Sequence, residues 1–542
     1  MFRKSNKTKQ LDAFTSVTSM LDDLASKQFN DKGHWHNQFR NQIVMRIDES
    51  IFSVLFDSTT GAPNAPVRVL IGMMILKESF GWSDSQLYEH CRFDLLTRSA
   101  LGMFNINDPL PVESTYYLLR KRIYEYQKGN GEDLVEKSFA QITHEQVRAF
   151  DVNGKSIRMD SKLIGSNIAF SSRYENIHKT LNIFYKSLDK SSKLKITLTD
   201  TEQIEILAGE EPSKIVYRHT KEEITSRLQL MGVLIYKLLH CFDGMQTESY
   251  QLLKRLFSEQ YKVADDQQIE LRPKEEISSS SIQSPHDPDS AYRNKQNKPV
   301  RGYCVNITET CSDDSLSLIT NVMVDKANVS EQDFVEQAIR STIDITGQPI
   351  EKYYADGAYQ SPVFDQSCST IDMVYTGFQG VEPRYDLELT QQGLLVIDTL
   401  TGDRIMATAV KNRTLKAKEK WKIKTSKGYY YFTQKAIRNA IERRKLKERP
   451  VEELNKRNNV EATIFQLCHR LRNNKSKYRG QIKHQIWAIC RCLWINLIRI
   501  ANYLKKEGNN PKKSNFGSFF ENLMTKSLLL TMNVCSELQS YR

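Results

Sequence analysis

The sequence lacks the cysteine spacing of a zinc site. Its nine cysteines lie at positions 91, 241, 304, 311, 368, 468, 490, 492 and 535, and no two of them form a C-x2-C pair. Structural zinc sites are commonly built from such close pairs of cysteines. We therefore expect no zinc knuckle, and we interpret the cysteines as reduced thiols of a cytosolic protein.

Long apolar runs are missing as well. No stretch reaches the roughly 18 apolar residues of a transmembrane helix. The N-terminal residues MFRKSNKTKQ contain no apolar segment like that of a signal peptide. We therefore expect neither a signal peptide nor a membrane partner. Apolar residues still make up 39% of the 542 residues, which is enough for about two to four domains with cores of their own.

Acidic residues are scarce in one part of the chain. Between Lys411 and Arg479 there are 22 Lys or Arg residues, 6 Glu and no Asp, which gives this segment a net charge of +16. The whole chain carries +12, so the remainder is slightly acidic. Some of this charge suits a solvated surface. A block that exceeds the net charge of the chain nevertheless favours a surface that binds phosphate groups.

The first 150 residues show the spacing of helices. Apolar residues recur every three or four positions in Phe14–Leu24 and in Trp35–Phe56. Another helix begins near Ser114 or Thr115, after two prolines. We therefore predict an all-helical N-terminal domain over residues 1–150.

A helix-turn-helix outline lies within this region. Val67–Phe80 is apolar enough to be a buried helix, Gly81 and Trp82 form a turn, and Ser83 is a suitable N-cap for a helix over Asp84–Cys91. Such a pair can place its second helix against DNA, although most such pairs only pack together. Both interpretations stay open.

The spacing changes to that of strands after residue 150. The segment FDVNGKSIRMDSKLIGSN alternates polar and apolar residues, and Asn153-Gly154 is a two-residue turn signal. We therefore predict a hairpin whose second strand carries Asp160. Helical spacing returns over 171–270, within an insertion that extends to about residue 298.

The strands that follow predict an α/β fold. They lie at 301–310, 315–327, Glu351–Asp356 and Thr370–Phe378, with helices at Ser330–Ile345 and Ser361–Ser367. Without the helical insertion, this order predicts a mixed five-stranded sheet of the RNase H type. The sheet belongs to a predicted catalytic domain over 151–505, and a C-terminal tail follows at 506–542.

The second half of this domain contains a β-rich basic insertion and three helices. The insertion covers about 384–435, where LLVIDTLTGDRIM and GYYYFT have strand composition. The predicted helices are Lys435–Glu448, which is basic, Val451–Arg472, and Ile482–Leu504, which is apolar and should pack on the core.

Three widely spaced acids are candidates for metal ligands. Asp160 and Asp356 lie in strand-like segments, and Glu461 lies in a helix. Mg²⁺ and Mn²⁺ prefer hard oxygen ligands, and two such ions about 4 Å apart serve phosphoryl transfer. Glu442 is the alternative third acid. The segment RNAIERRKLKERP around it is charged on all sides, whereas Glu461 lies in an amphipathic helix, which favours Glu461.

Two further clusters have two interpretations each. The run His286-Asp287-Pro288-Asp289 can bind a metal or line a cleft, or it can be a loop that uses Asp and Pro for turns. Trp421 and the run Tyr429–Tyr431 lie among lysines, and they can stack on unpaired bases or simply form a strand face.

Segments along nearly the whole chain share the motifs of one protein family. They are GAPNAPVRVLIGMMILKESFGWSDSQLYEHCRFDLLTRSALG with the later PVESTY, RMDSKLIGSN, SPHDPDSAYRNK followed by RGYCVNITET, YYADGAYQSP, and RNNVEATIFQLCHRLRNNKSKYRG. Through these segments the chain resembles bacterial insertion-sequence transposases of the DDE type, which have a helical N-terminal domain and an RNase H-like catalytic domain.

The resemblance implies roles for individual residues. Asp160, Asp356 and Glu461 become the catalytic, metal-binding triad, with Mg²⁺ or Mn²⁺ as cofactor. The basic residues implied to bind DNA are Arg457, Arg470, Arg472, Lys475, Lys477 and Arg479.

The signature of the third acid in this family is only partly present. It often reads Tyr-x2-Arg-x3-Glu-x6-Lys, and Arg457 and Glu461 fit it. Leu454 and Cys468 stand at the Tyr and Lys places. His469 and Arg470 follow directly and are the candidates for the missing polar contact.

The resemblance also implies a reaction and its partners. The chain would cut DNA at the terminal inverted repeats of an insertion sequence and join the freed 3′-OH to target DNA, in a bacterial cytoplasm and associated with the nucleoid. Double-stranded DNA is the implied partner, and a homodimer would bring two ends together. The alternatives are an inactive or domesticated relative that binds DNA without cutting it, and an RNase H-like structure-specific nuclease.

Overall fold

A computed structural model describes residues 1–7, 11–12, 14–265, 267–313, 315–360, 370–376, 383–410, 420–426 and 428–507. The chain separates into two compact units. The first contains Met1–Lys77, Trp82–Tyr116 and the chain from Leu493 on, and the second contains Glu78–Gly81 and Tyr117–Cys492. The helix expected at Ser361–Ser367 and nearly all of the expected tail lie outside the described residues.

The N-terminal region is helical, as its spacing predicts. Its helices are α1 (Asp23–Phe29), α2 (Trp35–Gln42), α3 (Val67–Phe80), α4 (Asp84–Phe93), α5 (Leu95–Ala100), α6 (Glu113–Asn130) and α7 (Leu134–Ala149). α3 is mostly buried because its sequence, VRVLIGMMILKESF, is apolar on all sides. The cap predicted for α4 is confirmed, since Ser83 Oγ accepts a hydrogen bond from Gln86 N–H at 3.1 Å and the Gln86 side chain accepts one from Ser83 N–H.

The segment Trp35–Phe56, which has helical spacing throughout, is not one continuous helix. α2 is followed by two separate 3-10 turns, Val44–Arg46 and Glu49–Leu55. The second turn starts at Asp48, whose carboxylate accepts a hydrogen bond from Ser50 N–H at 3.0 Å. An Asp that bonds its neighbouring backbone favours the start of a new turn over the continuation of a helix.

The second unit contains a mixed sheet and two insertions. After β1 (Ser156–Gly165) come α8 (Arg173–Ser187), α9 (Lys190–Lys193), α10 (Leu198–Ala208), α11 (Pro212–Arg218), α12 (Lys221–Cys241), α13 (Glu248–Gln260), β2 (Tyr261–Val263) and β3 (Ile269–Leu271). Then follow β4 (Ala291–Lys295), β5 (Lys298–Thr310), β6 (Ile319–Lys326), α14 (Val335–Thr346), β7 (Lys352–Asp356) and β8 (Asp372–Thr376).

The chain continues with short strands and then helices. The strands are β9 (Tyr385–Thr390), β10 (Gly393–Asp398), β11 (Arg404–Met406), β12 (Thr408–Ala409), β13 (Lys420–Thr425) and β14 (Gly428–Thr433). The helices are α15 (Gln434–Glu448), α16 (Val451–Asn455), α17 (Asn458–Cys468) and α18 (Gln481–Glu507). The β-rich insertion is therefore two three-stranded sheets, β9–β11 and β12–β14.

β1 lies in the middle of the main sheet. It pairs antiparallel with β5 and parallel with β7, and β7 pairs parallel with β8. β4 and β6 both pair antiparallel with β5. Ile157 and Met159 of β1 pack against Val335 and Ala338 of α14 in one apolar core. Because side chains alternate along a strand, Arg158, on β1 between them, faces the opposite side of the sheet.

Two details of the predicted sheet are wrong. Within the described residues the sheet has six strands and not five, because β4 and β5 form a hairpin through Gln296 and Asn297. These two residues have φ of 54° and 60° and so make a turn suited to tight hairpins. Asn153-Gly154, in contrast, is not a hairpin turn, and in the described residues no strand precedes β1 to form a hairpin with it. A Cβ on Gly154 would lie 2.6 Å from the Cβ of Thr346, so glycine is needed there for close packing against α14.

The helix predicted over Val451–Arg472 is also wrong in its extent. It is divided into α16 and α17, and it ends at Cys468, just before Arg470 adopts a left-handed conformation with φ of 73°. The helix expected from Ser330 begins instead as the 3-10 turn Glu331–Phe334 before α14. The side chain of Ser330 makes no capping hydrogen bond there.

Candidate active site

Asp160 and Asp356 lie on neighbouring parallel strands at the same level of the sheet. Arg158 of β1 is paired with Tyr354 of β7. Two residues further along both strands, the same register brings Asp160 beside Asp356, which is the last residue of β7. Side chains two positions apart on a strand face the same side of the sheet. Asp160 therefore faces the same side as Arg158, and Asp356 the same side as Tyr354, which is the side away from α14.

The third acid reaches the same place from a helix. α17 packs against β1, and it carries Glu461 in its first turn. The three carboxylates meet around one guanidinium. Arg457 lies 3.5 Å from Asp160, 3.8 Å from Asp356 and 3.2 Å from Glu461, measured between nitrogen and oxygen atoms. Acids that are far apart in the sequence therefore share a single cationic partner.

The three acids differ in their exposure. The side chain of Asp160 is 17% exposed, whereas those of Asp356 and Glu461 are 44% and 59% exposed. Burial raises the pKa of Asp160 above its ordinary value. The charge of Arg457 and a hydrogen bond from Ser161 N–H oppose this shift, while the other two acids add to it. The ionised form of Asp160 is therefore disfavoured by burial and favoured by the nearby charge of Arg457.

A buried ion pair holds α17 in its place on the sheet. Arg158 Nε lies 2.5 Å from Glu309 Oε1, and both side chains are almost completely buried. The second oxygen of Glu309 accepts a hydrogen bond from Thr463 Oγ1 at 2.8 Å. Arg158 also donates to the backbone oxygen of Lys456 at 3.0 Å, one residue before Arg457. These bonds fix the backbone on both sides of the third acid.

A second cluster attaches α16 to the neighbouring strands. Glu453 accepts hydrogen bonds from Lys352 Nζ at 2.8 Å and from Tyr354 Oη at 3.2 Å. Arg449 pairs with both Glu453 and Asp372. The hydrogen bond from Lys352 lowers the pKa of Glu453, so this carboxylate stays ionised and paired. β7 and β8 are therefore connected to the segment that leads into Arg457.

The donor chemistry of this cluster fits a hard divalent cation. Carboxylate oxygens are what Mg²⁺ and Mn²⁺ prefer, and two Asp on rigid strands with one Glu on an anchored helix can supply them. In their present positions, no group of three or more His, Cys, Asp or Glu side chains within the described part of the chain surrounds a single metal position. The guanidinium of Arg457 stands between the acids instead.

Apart from Arg457, which lies before α17 among the acids, the basic residues expected to bind DNA lie on one exposed segment after α17. Arg470, Arg472, Lys475, Lys477 and Arg479 are all exposed. Three of them also donate to backbone oxygens nearby: Lys475 to Ile168, Lys477 to Gly81 and Arg479 to Asn167. Part of their hydrogen-bonding capacity is thus used to hold the segment along the end of β1.

Glu442, the alternative third acid, has a different ion-pair partner. Glu442 is on α15, and its carboxylate pairs with Lys445 of the same helix at 2.9 Å. Arg457, which meets Asp160 and Asp356, pairs with Glu461. This geometry favours Glu461 over Glu442 as the acid that joins the two Asp residues.

One residue of each of the other two clusters makes structural contacts, although Tyr429, Tyr430 and Tyr431 are each more than half exposed. Asp287 is buried, and it accepts hydrogen bonds from Tyr303 Oη at 2.5 Å and from Ser166 Oγ, so it fixes the loop that enters β4. In β14, Tyr430 packs against Phe432 and Tyr385, as a strand-face residue does.

Two basic residues beside Asp160 were not predicted from the sequence as residues of the site. Arg158 and Lys162 lie two positions before and after it on β1, and the alternation of a strand was the signal that places all three on one face. Burial raises the pKa of the Cys468 thiol to about 11, and the nearby charge of Lys162 opposes that shift. Lys162 therefore supplies a positive charge beside Cys468, the position where the family signature has Lys.

Comparison with known proteins gives a family match over part of the chain. No curated protein and no solved structure matches the chain. In the described part of the chain, no helix has both the length and the hydropathy required to cross a membrane. Residues 25–122, which contain α2–α5 and parts of α1 and α6, match a family model described as "Transposase domain (DUF772)". The match supports a transposase and thus a function related to transposition.

Proposed function

We propose that the chain is a transposase of the DDE type, which cuts DNA at the ends of an insertion sequence and joins them to target DNA. The observation that carries the proposal is the convergence of Asp160, Asp356 and Glu461 on one cation. A DNA-binding regulator has no use for three acids gathered on the face of a sheet. A phosphoryl-transfer enzyme needs such a cluster to hold divalent ions.

The sheet supports an RNase H-like catalytic domain. The strand that carries Asp160 has an antiparallel neighbour, β5, on one side and a parallel neighbour, β7, on the other. Once the helical insertion is left out, the sequence predicts a strand, two further strands, a helix and the strand of Asp356 in this order. β1, β5, β6, α14 and β7 occupy these places, with β4 added before β5. The match to a transposase domain at residues 25–122 lies before this sheet in the sequence and agrees with the proposal.

In this proposal Asp160, Asp356 and Glu461 hold Mg²⁺, or Mn²⁺ in its place. Divalent ions, when bound there, lower the pKa of water and stabilise negative charge on the oxygen that leaves. The chain itself orients the acids: Glu309 and Arg158 fix α17, and the strand register fixes the two Asp residues. No side chain has to form a covalent bond to DNA.

Basic residues supply the affinity for DNA. Arg472 and the exposed residues up to Arg479 lie on the segment that follows α17, and Lys162 adds a charge on the face of Asp160. Lys and Arg bind the phosphate groups of DNA whatever its sequence, and they release counterions, so this part of the affinity falls steeply with salt.

Two DNA ends have to be brought together, and we therefore propose a homodimer on DNA.

One assay tests the proposal. Purified protein is incubated with Mg²⁺ and labelled DNA that carries the terminal repeats, and binding, nicking and strand joining are scored separately. Asp160→Asn should abolish nicking and joining and leave binding largely intact. Asp344→Asn makes the same chemical change at an exposed position on α14, and it should leave all three intact.

Other outcomes of this assay point elsewhere. Binding without any nicking by the unchanged protein indicates an inactive or domesticated relative. Nicking of branched DNA without a need for specific ends, and without joining, indicates a structure-specific nuclease on the same sheet. Mg²⁺-dependent nicking that survives Asp160→Asn removes the assignment of the triad.

A further inference from the structure

Arg457 occupies the position between the three acids. Its side chain is only 13% exposed, and its two terminal nitrogens lie 3.2 to 3.8 Å from the nearest oxygens of Asp160, Asp356 and Glu461. Of these contacts, the one to Glu461 is a hydrogen bond. The two contacts to the Asp residues are longer than ordinary charge-assisted hydrogen bonds, so charge and not directed bonding holds the guanidinium there.

The guanidinium is not fully satisfied in this position. Its Nε is buried and has no hydrogen-bond acceptor in the described part of the chain. A buried donor without an acceptor is unfavourable. The arginine is therefore held by the combined negative charge of the acids, at the expense of one of its own hydrogen bonds.

The acids need a positive charge in their midst. Three carboxylates that share one partner repel one another. Arginine keeps its charge under all conditions relevant to a protein. One guanidinium can thus offset this repulsion before any other cation arrives.

A divalent ion bound by the same oxygens cannot share this space. Mg²⁺ lies about 2.0–2.1 Å from its ligands, whereas the guanidinium nitrogens already stand within 4 Å of all three acids. We infer that Arg457 is an exchangeable counter-cation, which holds the acids together before metal binds and has to leave them when a divalent ion enters.

The structure permits this exchange by movement of a side chain alone. The backbone before Arg457 is held, because Lys456 O accepts a hydrogen bond from Arg158 and Arg158 is paired with buried Glu309. Helix α17, and with it Glu461, can therefore stay in place while the long arginine side chain turns away. Once released, its guanidinium is available for a DNA phosphate, the partner that the resemblance implies for it.

The inference rests on the proposed function, and metal binding without DNA tests it. Mn²⁺ binding to the full chain is followed by electron paramagnetic resonance, with the unchanged protein and Arg457→Gln compared. Because the competing cation is gone, Arg457→Gln should bind Mn²⁺ at least about tenfold more tightly, well within the range of coupling between sites. Equal or weaker binding overturns the inference, since it shows that the guanidinium does not compete.

Two further variants make the result specific. Arg340→Gln removes an arginine from the exposed surface of α14, where it pairs with Glu336, and it should leave Mn²⁺ binding unchanged. Arg457→Lys keeps one charge on a shorter side chain and serves where Arg457→Gln does not fold. It should bind Mn²⁺ more tightly than the unchanged protein, and affinity equal to that of the unchanged protein overturns the inference.

Asp160→Asn separates this inference from the proposed function. Mn²⁺ binding that depends on Asp160 but is no tighter in Arg457→Gln overturns only the role of Arg457. Absence of any Mn²⁺ binding that depends on Asp160, in both the unchanged protein and Arg457→Gln, overturns the metal site of the proposed function and the inference with it.

Discussion

The ion pair between Arg158 and Glu309 offers the sharpest test of how the candidate site is positioned. We expect Glu309→Gln to destabilise the second unit strongly. The carboxylate is fully buried, and its partner nitrogen lies 2.5 Å away. The variant leaves the Arg158 guanidinium buried without a charge partner, which costs about 3–5 kcal/mol in comparable pairs. Glutamine keeps the shape and can keep the bond from Thr463, so the lower end, about 3 kcal/mol, is expected.

Hydrogen exchange measures this effect where it occurs. The chain has two units, so a single unfolding midpoint does not report the stability of one of them. Amide exchange in β1 and α17 should accelerate in Glu309→Gln. Glu336→Gln is the matched control. Its carboxylate is 64% exposed and pairs with Arg340 on the surface of α14, and its loss should change stability by less than about 1 kcal/mol.

A double variant separates stability from position. Arg158→Met with Glu309→Leu replaces the ion pair by apolar side chains and should recover most of the stability. It also removes the hydrogen bond from Arg158 to Lys456 O, which registers α17 on the sheet. We therefore expect it to cut DNA poorly although it is stable. Exchange rates in Glu309→Gln like those of the unchanged protein, or full cleavage by the double variant, would refute the positioning role of this pair.

Two further predictions concern the same sheet. Burial raises the pKa of Asp160, so its ionisation disfavours the folded state: Asp160→Asn should raise stability at neutral pH, and the gain should vanish in titrations taken below the ordinary pKa of about 3.9. An unchanged stability across this range contradicts that reasoning. Gly154→Ala should lower stability by about 1–3 kcal/mol, because the added carbon would lie 2.6 Å from the Thr346 side chain. Gly129→Ala in α6 meets open space and should not lower stability. Amide hydrogen exchange near each substitution measures both effects.

The sequence predicted the elements of the site better than its contacts. Strand spacing around Asp160 and the aromatic run before Asp356 were visible as local patterns, and so was the helix of Glu461. Their convergence depends on strand register and on where α17 packs, and no local pattern contains that information. The position of Arg457 could not be predicted, because it is the conformation of one long side chain, determined by three acids from separate elements.

The errors in the predicted fold also have physical causes. Asn153-Gly154 is a strong hairpin signal, but here the glycine serves close packing against a helix from elsewhere in the chain. Gln296 and Asn297, a weaker signal, form the hairpin that does exist.

The helical insertion after β1 affects the order in which the protein can fold during synthesis. β1 leaves the ribosome first, but its pairing partners β5 and β7 follow only after six helices. Those helices have a core of their own, with Leu181, Leu234 and Leu253 among its buried residues, and contacts close in sequence form early. The insertion can therefore fold while β1, the strand of Asp160, has no strand to pair with. A translation product that stops before β5 leaves that strand unpaired and prone to association, so the acidic cluster can assemble only on a nearly complete chain.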